Sequence, residues 1–185
     1  MLNRNQRIVI LLLVLITSSI CMGQSTDRGI FHVGLSAGMG LPQIPISEFR
    51  SAISVTGGGL ANLRISSNWM IQADLYGLYS FGLGTMTGTK KKLKFNLLWG
   101  SMNLMYAIRK TITGESFVSM GFGQYNLDQC FGTEELSLNT AGLNIGIINH
   151  RHWRRVSGVF EIKWHLLFRP SSNPQCLVMT LGIMI

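Results

Sequence analysis

Residues able to do acid, base or nucleophilic work are few in this chain of 185 residues, which has eight carboxylates and four histidines. Glu161, Lys163 and His165 alternate along one stretch, and Gln72 and Asp74 along another, with Arg64 shortly upstream. In extended backbone each set shares one face, because successive side chains point to opposite sides. Ser36 and His32 fall on the equivalent face of an earlier stretch, and Ser171 and Ser172 lie in a nearby predicted loop. A serine, a histidine and a carboxylate are the ingredients of a hydrolytic site. The chain has no local His-x-Ser pattern, however, and hydrolysis of a lipid requires a nucleophile aimed toward lipid, so no catalytic residue is assigned. Asp74 and Glu161 are instead expected to pair with Arg64 and Lys163, since an isolated ion in a water-poor interior is costly. With Gln72 and His165 they read as a polar plug.

Three further groups have chemical potential. His150, Arg151, His152, Trp153, Arg154 and Arg155 combine two possible metal ligands with basic and aromatic residues. On a short turn, two histidines are poor ligands, and an aromatic beside basic residues suits a lipid headgroup layer. No metal or other cofactor is assigned. Lys90, Lys91, Lys92 and Lys94 form a basic run expected to meet phosphate or acidic sugar. Cys130 and Cys176 fall in or beside predicted loops, and in an oxidising compartment they are expected to pair as a disulfide.

The compartment is indicated by the first residues. Arg4 and Arg7, an apolar run over residues 8–16 and a small-residue region with Cys21 and Gly23 form a secretory leader ending at residue 23. The apolar run is about half the roughly 20 residues a spanning helix needs. Cys21 as a lipidation site is disfavoured by the bulky Ile20 before it. Residues 24–185 then form one domain. Its removal of Arg4 and Arg7, with no acid, lowers the formal charge from +8 to +6. For an exported protein the relevant anions are lipid phosphate and surface polysaccharide, not nucleic acid.

From residue 31 onward the pattern is apolar alternation. Phe31, Val33, Leu35, Ala37 and Met39 interleave with His32, Gly34, Ser36 and Gly38, and Leu177, Met179, Leu181, Ile183 and Ile185 form a comparable row. Strands are predicted over 31–40, 53–65, 69–81, 93–108, 117–125, 138–149, 156–168 and 177–185. Only 13% of residues are charged while 46% are hydrophobic. That balance, without a long apolar run, suits strands that show alternate residues to lipid. The fold expected is all-β, a closed antiparallel up-and-down transmembrane β-barrel of about eight strands. A change of apolar phase between Trp99 and Met102 is read as a bulge near Gly100.

Predicted connections alternate in length. Residues 40–50, 82–92, 126–135 and 169–175 are long, whereas 66–68, 109–114 and 150–155 are short; long loops are expected outside and short turns in the periplasm. Trp69 and Tyr79 are ten residues apart, about 25 Å of height on a tilted strand, which matches the spacing of two aromatic girdles. Phe81 and Trp153 are assigned to the same girdles.

The stretch SVTGGGLANLRISSNWMIQADLYGLYSFG, with AGLNIGIINH, GVFEIKWHLLF and LVMTLGIMI after it, resembles the porin-like outer-membrane β-barrel domain proteins of Bacteroides-type bacteria. The resemblance spans the mature chain and carries strand patterns, not catalytic residues. It implies an integral outer-membrane protein that meets lipid, lipopolysaccharide and the barrel insertion machinery. One departure is Ile185, where such barrels usually end on an aromatic. A barrel of this size encloses little more than its own side chains. The role expected is therefore structural, adhesive or surface-binding through exterior loops. A narrow channel or hydrophobic-solute transporter is the alternative, and a lipid-modifying enzyme a further one.

Overall fold

Strand β1 (Phe31–Gln43) shows how the alternation is used. Leu35 and Met39 are 75% and 61% exposed while Ser36 between them is buried. The pattern repeats around the whole wall, so greasy residues face outward and smaller or polar ones inward. The structure, a computed structural model, describes residues 31–43, 54–86, 89–131, 134–153, 156–168 and 174–185, and for residues 43, 81–95 and 129–136 the backbone alone. The expected leader, Ser171 and Ser172 lie outside the described residues.

Seven further strands follow: β2 (Ser54–Arg64), β3 (Trp69–Met86), β4 (Thr89–Thr111), β5 (Gly114–Phe131), β6 (Glu134–Trp153), β7 (Val156–Leu167) and β8 (Gln175–Met184). Each pairs antiparallel with its chain neighbours, and β8 pairs with β1 to close the barrel. The seam between first and last strands runs from Gly34↔Met184 to Gln43↔Gln175, with Val33 and Ile185 exchanging backbone hydrogen bonds of 3.1 and 2.9 Å at its end.

The strand count and order match the expectation, but two expected loops are absent. Residues 82–92 and 126–135 are mostly strand, because β3 and β4 stay paired to Met86↔Thr89 and β5 and β6 to Phe131↔Glu134. Among the described residues β2 accompanies β3 only to Ser80, and β7 accompanies β6 only from Gly142. Among the described residues, β3 to β6 thus extend beyond β2 and β7 at this end as a four-stranded wall. At the opposite end the turns are tight, as at Ile65–Trp69, where Ser66 Oγ accepts from Trp69 N–H at 3.2 Å.

The interior is layered. Toward the tall wall, Tyr76, Leu78, Leu97, Trp99, Tyr125, Leu127, Leu167, Cys176 and Val178 form one buried apolar cluster. Toward the tight turns, Leu60, Met70, Met105, Phe117, Ile148, Val159 and Met184 form another. Polar residues occupy the level between them. This layering accounts for the phase change in β4: inward Leu97 and Trp99 belong to the upper apolar cluster, whereas inward Ser101 and Asn103 belong to the polar level. Gly100 pairs regularly with Leu75 and Gln124. No bulge is needed there, and the irregularity lies lower, between Ala107 and Arg109.

The expected Cys130–Cys176 disulfide is also corrected. Cys176 is a free thiol, buried in the upper cluster because β8 already begins at Gln175 and its second residue faces inward. Cys130 is on β5, opposite Lys94 and Glu135, with β6 and β7 separating its strand from β8. We expect Cys176 in the folded barrel to resist a water-soluble maleimide and to react on denaturation, as read by mass shift. Rapid labelling of that residue in the folded state would contradict its burial.

Candidate functional site

Lys163 is the centre of the polar level. Residues 157 to 167 of β7 alternate strictly, which aims Glu161, Lys163 and His165 into the lumen one above another. Lys163 Nζ is 2.6 Å from Asp74 Oδ2 on β3 and 3.5 Å from Glu161 Oε2. Asp74 Oδ2 also accepts from Asn103 Nδ2 at 2.6 Å and Ser101 Oγ at 3.2 Å. Glu161 accepts from Gln72 Nε2 at 2.5 Å, and from Tyr76 and Thr180 hydroxyls at 3.3 Å each. One cation lies between two carboxylates, and neutral donors reach Glu161 and Asp74 Oδ2, while Asp74 Oδ1 is buried without a hydrogen-bond partner.

The plug expected from the sequence is therefore assembled only in part. Gln72, Asp74, Glu161 and Lys163 meet. Arg64 does not join them: it pairs with Glu115 at the turn end of the lumen, where His152 Nε2 is 3.7 Å from the same carboxylate. Glu115 was missed because it follows Gly114 directly and reads as part of a turn; in the structure β5 starts at Gly114. His165 lies one level above the ion cluster, its Nδ1 2.9 Å from the Tyr125 hydroxyl and its ring against Trp99 at 5.0 Å.

Three rings roof the cluster. Trp99 stacks between Tyr76 and Tyr125, at centroid separations of 5.5 and 6.5 Å. Gly58 makes room for the first, since a Cβ there would stand 2.7 Å from Tyr76 Cδ1. A space of about 10 Å³ at this level is lined by residues including Asp74, Trp99, Glu161 and Lys163, which is about one water-sized site. Ser36 hydrogen-bonds the Tyr76 hydroxyl, so both Ser36 and His165 are engaged by tyrosines of this layer.

His150 is a correction to the turn-cluster reading. It is buried inside the lumen against Phe117, at 5.0 Å, because β6 continues past it to Trp153. Arg151 and Trp153 alternate with it and face out, Trp153 being 58% exposed. No group of three or more possible metal ligands occurs among the described residues.

The outer surface carries its aromatics at two heights. Trp69 packs on Tyr106 at 4.8 Å near the turns, and Tyr79 is half exposed ten residues up β3. Phe81 follows on β3 with only its backbone described. Lys90, Lys91, Lys92 and Lys94 are on the tall part of β4, opposite Thr85, Gly84, Leu83 and Phe81.

No family model matches the chain, and no curated protein matches it in sequence. Solved structures do. Neisserial surface protein A superposes with a TM-score of 0.66 at 11% identity, over 85% of this chain and 97% of that one. Ail, the attachment invasion locus protein of Yersinia pestis, gives 0.53 at 8% identity over 83% and 98%. The N-terminal β-barrel domain of Pseudomonas aeruginosa OprF gives 0.53 at 11% identity over 83% and 97%. At these identities the likeness is one of fold, and the fold is the closed eight-stranded antiparallel barrel of small outer-membrane proteins.

Proposed function

We propose that this chain is an integral outer-membrane protein, exported by its leader and inserted as a barrel, which binds anionic surface material through the tall wall of β3 to β6. The observation that carries the reading is the contrast between a filled lumen and a protruding wall. Two apolar layers bracket a buried cluster of one cation and two carboxylates, and the space found at that level is about 10 Å³, which supports a filled lumen over a conduit. Among the described residues β3 to β6 stay paired past the ends of β2 and β7, and this part of β4 carries four lysines. The apolar belt suits bilayer lipid, the tight turns would face the periplasm, and the wall would stand among lipopolysaccharide.

Two likenesses support the reading. Ail is an attachment protein by name and was crystallised with the heparin analogue sucrose octasulfate, a polyanion. The strand patterns also resemble porin-like barrel domains of Bacteroides-type bacteria. The role is structural and adhesive, without catalysis.

The test is retention of the detergent-folded barrel on immobilised heparin. With Lys90, Lys91, Lys92 and Lys94 all changed to glutamine, the barrel should elute at clearly lower salt, since each charge near an anionic surface contributes about 1 kcal/mol. Elution of the quadruple variant with the wild-type protein would remove the lysine wall from the account.

A further inference from the structure

The bulge in β4 has a consequence for one arginine. Ala107 pairs with Phe117 and both face inward, so unbroken alternation would set residue 109 opposite Glu115 and aim it into the lumen. Ile108 is extra, Arg109 pairs with Ser116 instead, and the guanidinium emerges on the outer wall. Bulges commonly re-aim a side chain beside a working site.

Arg109 emerges at the edge of an outward-facing groove of about 820 Å³ at the turn end of β5 to β8. Two rows of register neighbours make it. One runs Arg109, Ser116, Asn149, Phe160, Leu181 and the next Thr111, Gly114, Arg151, Gly158, Ile183. Ser116 donates to Asn149 Oδ1 at 2.7 Å. Gly114 and Gly158 flank Arg151 in the second row. Trp153 leans over Gly158, where a Cβ would come within 2.7 Å of the indole ring.

Chemistry divides along the groove. Arg109 and Arg151 are exposed cations at one end; Phe160, Leu181 and Ile183 are an apolar floor at the other, the last two 67% and 60% exposed. Glu115 is the acid among the lining residues, and its carboxylate turns inward to Arg64. The groove thus offers two cations on β4 and β6, neutral hydrogen-bonding groups and an indole, then hydrocarbon.

We infer that this groove holds a phospholipid of the periplasmic leaflet, its phosphate on Arg109 and Arg151 and an acyl chain along Phe160, Leu181 and Ile183. Arginine matches the geometry of phosphate oxygens, and tryptophan suits the headgroup layer. The inference rests on the membrane reading given above, and its test separates the two.

The experiment is native mass spectrometry of the barrel extracted in mild detergent, with heat-dependent gel migration of each sample as the fold control. Wild type should migrate as a heat-modifiable barrel and retain one phospholipid. The double variant R109Q/R151Q should keep the gel shift and lose the lipid by about twenty-fivefold, as two charges each contributing about fivefold near an anionic surface. Gly158→Leu, whose side chain would push the Trp153 indole out of place while leaving both arginines, should lose it as well. A folded double variant that retains as much phospholipid as wild type overturns the groove. So does displacement of the wild-type lipid by millimolar inorganic phosphate, or a retained protein in place of lipid. Wild type that is soluble without detergent and shows no gel shift overturns the membrane reading and the groove with it.

Discussion

Replacing Lys163 with methionine should destabilise the barrel by about 3–5 kcal/mol, because it leaves two buried carboxylates facing each other without their cation. Asp74 and Glu161 are both nearly inaccessible and both reach Lys163 Nζ, at 2.6 and 3.5 Å. The loss should appear as a lower urea midpoint for the transition from folded to unfolded gel bands. The mechanism is checked by neutralising the partners: Lys163→Met combined with Asp74→Asn and Glu161→Gln should recover much of the loss. If the triple variant is no better than the single one, Lys163 acts by packing its stem and the charge balance is secondary.

Trp99→Ala should be of similar size, about 3–5 kcal/mol, the usual range for removing a large buried aromatic that neighbours cannot replace. Trp99 is wedged between Tyr76 and Tyr125 and meets the edge of His165. These residues come from β3, β5 and β7, so no single strand can shift to close the gap. The same urea titration reads the effect, with Trp99→Phe as the control that keeps much of the volume. A change of less than about 1 kcal/mol for the alanine variant would mean that the roof over the ion cluster collapses freely, contrary to the usual partial relaxation of packed interiors.

The ends of the chain were the easiest part to read because their inward faces are small. Ser36, Gly38, Thr180 and Gly182 stand against Leu35, Met39, Leu181 and Ile183, so hydropathy alone separates inside from outside. β4 was harder for a physical reason. Its upper inward residues, Leu97 and Trp99, are as apolar as its lipid-facing ones, and alternation in hydropathy disappears while alternation in space continues. Residues 82–92 contain Gly82, Gly84, Gly88, three threonines and three lysines, a turn-like composition; pairing between β3 and β4 makes the described ones strand nonetheless.

The polar residues show the same division. Gln72, Asp74, Glu161 and Lys163 were readable as one group because each follows its strand's parity to the same face. Arg64 was misassigned because parity gives the face and not the height, and Glu115 lies at its level while Asp74 does not. Arg109 could not be aimed at all from its neighbours, since one extra residue at Ile108 reverses it. Cys176 failed for want of two residues: a strand starting at Gln175 instead of 177 turns a loop cysteine into an interior one.

Seven of the eight strand pairings join neighbours along the chain, but the eighth joins β1 to β8. Every hairpin can therefore form locally, whereas closure waits for the last strand to be synthesised and delivered. Until then the chain is an open sheet with two raw edges, greasy on one side and hungry for hydrogen bonds along both margins. Such a ribbon must be shielded until it is zipped shut, so the β1–β8 register makes closure of this barrel the step that waits for its most distant pairing.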